Sequence, residues 1–153
     1  MIERTADARW DGNFARGKGQ VRLGSGALDA EYSFGTRFGG EQGTNPEELI
    51  GGAHAACFNM ALSVMLSEAR TPPAHLQTRA RVAIEKEESG FRITRIHLDT
   101  EGEVPGIDAV AFRRFAEDAK ANCPVSRALS GVEITLEATL RPSESRQAEP
   151  GML

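Results

Sequence analysis

The chain is poor in cysteine, with two in 153 residues, and poor in aromatics, with one Trp, one Tyr and seven Phe. It has no excess of basic charge, since 18 Lys and Arg stand against 22 Asp and Glu. Each scarcity excludes something. Two cysteines cannot build the disulfide framework of a small secreted domain. A net charge of −4 with both signs interspersed leaves no basic stripe for nucleic acid. Met1-Ile-Glu-Arg-Thr runs on into polar sequence without the apolar core of a signal peptide. No apolar run is read as reaching the ~20 residues of a membrane span. The expectation is a cytoplasmic protein with one domain over 1–142 and a flexible polar tail over 143–153. In that compartment a cysteine pair points to transient, catalytic or metal chemistry, beside the common use of thiols as core filler.

What is present is periodic. Leu28, Ala30, Tyr32 and Phe34 alternate with Asp29, Glu31 and Ser33, and glycines punctuate the residues before them. Three antiparallel strands are expected, near 7–12, 17–24 and 27–34. Residues 35–44 read as a glycine-rich loop carrying Arg37. Leu76 to Ile84 and Phe91 to Leu98 read as a hairpin. The phase slip between Ile93 and Ile96 marks a bulge. Helical spacing over 105–121, a short helix from Cys123 to about Leu129, and the alternation of Val132 to Leu140 complete the chain.

The stretch Thr44 to Phe58 organises the rest. Asn45 can cap a helix, Pro46 suits its first position, and Glu47 and Glu48 place negative charge at the positive end of the dipole. Small residues follow (Gly51, Gly52, Ala53, Ala55, Ala56), then Cys57. The apolar residues after it, to Leu66, fill more than one stripe. That predicts a helix over 45–69 buried on most sides and covered by a second subunit. Thr71-Pro72-Pro73 ends it.

Three chemistries fit the two thiols. A redox pair needs one reachable cysteine, a second within disulfide distance, and a cation near the reactive sulfur. Arg37 is the candidate cation, with Glu47 or Glu48 holding its guanidinium. By helix position Cys123, at a cap beside Pro124, should be the more acidic thiol, and Cys57 should be raised by its apolar setting. A zinc site could use His54 and Cys57, three apart on one helix face, with Cys123. In the third reading both thiols are filler and the protein holds a small apolar ligand. The residues alone do not decide which cysteine would attack.

Thr-Asn-Pro-Glu-Glu-Leu-Ile-Gly-Gly-Ala-His-Ala-Ala-Cys-Phe (44–58), with Asn-Cys-Pro-Val-Ser (122–126) downstream, resembles the OsmC/Ohr family of osmotically inducible and organic-hydroperoxide-resistance proteins. Tyr-Ser-Phe-Gly-Thr-Arg-Phe (32–38) and the setting of His54 favour the OsmC branch. The resemblance covers roughly residues 7 to 141. It implies an α+β fold of two small antiparallel sheets and a long central helix, in an intertwined homodimer with two interfacial sites. It further implies a thiol peroxidase that reduces organic hydroperoxides to alcohols and is recycled by a dithiol such as a lipoyl protein, with no metal or flavin cofactor. By the same resemblance Cys57 attacks, Cys123 resolves, and Arg37 pairs with Glu47. Glu47 and Cys57 are ten residues apart, about 15 Å along a straight helix. Either the helix breaks near Gly51-Gly52, a plausible site for it, or Arg37 and Glu47 serve the cysteine of a partner chain, and the sequence leaves both open.

Overall fold

The alternation at the start of the chain becomes a meander. In the computed structural model, which describes residues 1–143, β1 (Ala6–Asp11), β2 (Lys18–Leu23) and β3 (Asp29–Tyr32) form an antiparallel sheet in that order. Tyr32 packs its ring on Trp10 across the sheet, with centroids 5.5 Å apart. The chain divides into two compact units, Met1–Ile50 and Gly51–Leu153.

Residues 35–44 are not all loop. A short helix, α1 (Phe34–Phe38), stands where loop was expected. The cause is local: Ser33 accepts from the Thr36 N–H at 3.2 Å, and Thr36 Oγ1 accepts from the Ser33 N–H at 2.8 Å. This reciprocal cap satisfies donors that a single turn of helix would otherwise leave open. Thr36 Oγ1 also donates to the Thr44 carbonyl at 2.7 Å, and Asn45 Nδ2 donates to the Thr36 carbonyl at 3.2 Å.

The central helix, α2 (Pro46–Glu68), forms as expected, with Asn45 accepting from the Glu48 N–H at 2.8 Å. It runs helical through Gly51-Gly52, so the break considered there is not found. Gly51 is buried against the sheet that follows. A Cβ there would lie 3.3 Å from Val82 and 3.6 Å from Ala80, so the missing side chain allows close approach. Within one chain α2 is not buried all round. His54, Phe58, Leu62 and Leu66 are inaccessible, while Ala53, Ala56, Met60 and Val64 are exposed along another face. By length and composition α2 is also apolar enough to cross a membrane, contrary to the sequence reading. Two glycines and four alanines, set among only five Leu, Ile and Val, hide that property from a search for long runs of large residues, and a buried core helix passes the same test.

β4 (His75–Glu87) and β5 (Gly90–Glu103) form the long hairpin, with the register shift opposite Ala83 and Ile84 that leaves Thr94 without a partner. After α3 (Ala109–Asn122) and α4 (Pro124–Ala128), β6 (Glu133–Leu140) joins β5 in parallel. The second sheet is therefore mixed, where two antiparallel sheets were expected. The connection from β5 carries two helices, long enough to bring the chain back to the same end. Ile96, Leu98, Phe112, Ala116 and Ala119 fill the core with the buried face of α2. Thr78 ties β4 to Asn59 of α2 at 2.6 Å and to Thr100 of β5 at 2.7 Å. The expected tail, apart from Ser143, lies outside the described residues.

Candidate active site

Two arrangements of functional groups are present, one in each unit. In the first, the cap of α1 fixes Arg37 in its last turn, and α2 presents Glu47 in its first. Arg37 Nε donates to both Glu47 oxygens at 3.1 Å, and Nη2 donates to Oε1 at 2.6 Å. Glu47 is nearly buried, while about a third of the Arg37 side chain is exposed. A forked, charge-assisted pair of this kind fixes the plane of the guanidinium. It leaves Nη1 outside the pairing. Glu48, the other carboxylate considered, instead accepts from Thr44 Oγ1 at 2.9 Å. Phe14, Phe34 and Phe38 cluster beside Arg37 with centroids 5.0 to 6.5 Å apart, and the guanidinium carbon lies 5.3 Å from the Phe38 ring.

The second arrangement brings the two thiols together. Cys57, on α2, is partly exposed, and Cys123, between α3 and α4, is fully buried. Their side chains are hydrogen-bonded to each other, and no disulfide joins them. Cys123 caps α4 with Pro124 in the first turn, as expected, but its side chain makes no capping hydrogen bond. The open donor of that turn goes elsewhere: the backbone N–H of Val125 donates to the Cys57 sulfur. The helix end that was expected to favour a Cys123 thiolate is thus aimed at Cys57. Burial, then the Cys123 contact, still push the Cys57 pKa up, and Val125 only opposes them.

One turn away, His54 Nε2 and Ser126 Oγ are 2.7 Å apart. His54 is fully buried, Ser126 is 5% exposed, and among the described residues His54 Nδ1 has no hydrogen-bond partner. Burial lowers the His54 pKa and keeps the ring neutral. The Nε2 atom is committed to Ser126. Among the described residues no group of three His, Cys, Asp or Glu is placed to hold a metal. Val125 and Ser126 were not foreseen. The signal for Ser126 was the mirrored spacing, His54 three before one cysteine and Ser126 three after the other.

The family model for OsmC-like protein matches residues 39–137. The chain belongs to the OsmC family. It is 52% identical to peroxiredoxin OsmC of Escherichia coli K12 over 141 residues, 92% of this chain and 98% of that protein. It is 35% identical to the organic hydroperoxide resistance protein OhrA of Bacillus subtilis over 102 residues, 63% of this chain and 68% of that protein. The crystal structure of OhrB, the organic hydroperoxide resistance protein of Bacillus subtilis, superposes with a TM-score of 0.68 at 27% identity, covering 90% of this chain and 98% of that one. The α+β arrangement of two small sheets and a long helix is thus the OsmC fold. Membership in the OsmC family supports a peroxide-related function at family level.

Proposed function

We propose that the protein is a thiol peroxidase that reduces organic hydroperoxides, and hydrogen peroxide less well, to alcohols or water. The observation that carries this reading is the meeting of Cys57 on α2 with Cys123 at the cap between α3 and α4, with one sulfur reachable and the other buried. Cys57, as thiolate, attacks the terminal oxygen of ROOH. The O–O bond breaks, the alkoxide takes a proton and leaves as alcohol, and Cys57 becomes the sulfenic acid. Cys123 attacks that sulfur, hydroxide leaves as water, and a disulfide forms. An external dithiol, of the lipoyl kind, then reduces the disulfide by two exchanges and is itself oxidised.

Burial holds Cys57 above the ordinary thiol range, so a cation is needed to make the thiolate. Arg37 is proposed for that role, with Glu47 orienting its fork and Nη1 free to meet sulfur or peroxide. Because α2 continues through Gly51-Gly52, the arrangement proposed is the one across a homodimer, with Arg37 and Glu47 of one chain serving Cys57 of a second. The cytoplasm, with its dithiol reductants, is the proposed setting.

The test is intact mass after titrating reduced protein with one equivalent of cumene hydroperoxide. A loss of ~2 mass units per chain, with digestion linking Cys57 to Cys123, is expected from thiol-to-disulfide conversion. Both thiols remaining free would reject the reading and return attention to a small-ligand-binding protein without turnover.

A further inference from the structure

Cys57 meets Cys123 and the backbone N–H of Val125. α4, which supplies Val125 and is capped by Cys123, is a single turn of five residues and cannot hold its own place. The His54–Ser126 hydrogen bond, at 2.7 Å, is a second tie between the same two helices. Residues three apart share a helix face, so 54 and 57 on α2 meet 126 in α4 and 123 at its cap as two neighbouring rungs. Both members of the outer rung are buried, where losing one partner leaves an unsatisfied polar group. Among the described residues His54 has no second partner to compensate, since Nδ1 makes no hydrogen bond there.

We propose that His54 and Ser126 are a positioning pair for the dithiol: their hydrogen bond holds α4 on α2 and so sets how fast Cys123 captures oxidised Cys57. This rests on the thiol-peroxidase reading. The pair touches neither peroxide nor the reacting sulfurs. It acts through the placement of Cys123, and a displacement of about 1 Å at such a site can cost ~100-fold in rate.

A sulfenic acid that is not captured meets a second peroxide. That peroxide gives up one oxygen, leaves as alcohol, and converts sulfenic to sulfinic acid. Capture is independent of peroxide concentration, whereas over-oxidation rises with it. The hydroperoxide concentration at which half the protein carries a sulfinic acid therefore measures capture. Ser126→Ala removes the hydroxyl with little change of volume, and His54→Asn shortens the side chain out of reach. Each should lower that concentration by ~10-fold, while Ser126→Thr, which keeps the hydroxyl, should stay near wild type. An independent readout needs no peroxide: equilibration of diamide-oxidised protein in glutathione buffers. Loss of the rung should lower the effective concentration of Cys123 at Cys57 and weaken the disulfide ~10-fold, a rise in potential of about 30 mV.

Folded Ser126→Ala and His54→Asn proteins with wild-type over-oxidation and wild-type potential would overturn the proposal. So would a Ser126→Thr protein as impaired as Ser126→Ala. If peroxide yields no disulfide even in wild type, the peroxidase reading fails, and the glutathione equilibrium still decides whether the rung positions the thiols.

Discussion

At the scale of single residues, Cys57 stands under opposing influences. Burial and the Cys123 thiol raise its pKa, and the Val125 N–H lowers it. Replacing Cys123 with Ala removes one of the raising contacts and keeps the burial. The pH midpoint for iodoacetamide alkylation of Cys57 should then fall, yet stay above that of an exposed thiol. In turnover assays, Cys57→Ser should have no peroxidase activity. Cys123→Ser should complete one turnover and accumulate sulfenic acid, detectable by dimedone adduction. Arg37→Ala should lose on the order of 100-fold or more in rate, far beyond what its loss of stability from the unpaired Glu47 explains, as expected for a group that stabilises charge at the reacting atoms.

His54 gives a pH dependence of stability with a definite sign. Its pKa is lowered in the folded chain from the ordinary 6.5. As pH falls the unfolded chain takes up the proton first, so the contribution is whole above about 6.5 and is lost as pH drops toward the lowered value. Urea midpoints at pH 7.5 and 5.5 should differ more for wild type than for His54→Asn. Equal differences would place the acid sensitivity elsewhere.

At the scale of elements, periodicity was a good guide where a segment satisfies its own needs. Asn45, Pro46 and the two glutamates wrote the start of α2 plainly, and the slip after Ile93 wrote the bulge. α1 was missed because one turn leaves no periodic trace; only the Ser33 and Thr36 pair encodes it. Ser33→Ala should cost about 1 kcal/mol and loosen Arg37, raising KM or lowering kcat for hydroperoxide before global stability suffers. The parallel pairing of β6 was invisible because alternation reports which face is buried and says nothing of direction. In the site, the sequence narrowed the carboxylate to Glu47 or Glu48, and the family resemblance chose Glu47. The structure separates them by their partners, Arg37 for one and Thr44 for the other. No pattern could show that the first turn of α4 would donate to the other cysteine's sulfur, since that contact joins residues 57 and 125 through tertiary packing.

At the scale of the whole molecule, the exposed side of α2 sets an expectation. Met60 is 71% and Val64 53% exposed on a helix otherwise fitted to a core. An apolar stripe of this kind suits a second copy of the chain better than water. Met60→Asp should convert a dimer to monomer in light scattering, and peroxidase activity should fall with it, because Arg37 would no longer reach a partner's Cys57. An active monomer would remove the arrangement across the dimer.

Cys123 is sealed from solvent. On the proposed reaction, oxidant and reductant must therefore come and go through the same sulfur, one after the other. The kinetic order is then ping-pong: double-reciprocal plots at several dithiol concentrations should be parallel, and each substrate in excess should obstruct the other by occupying the wrong redox form of the enzyme.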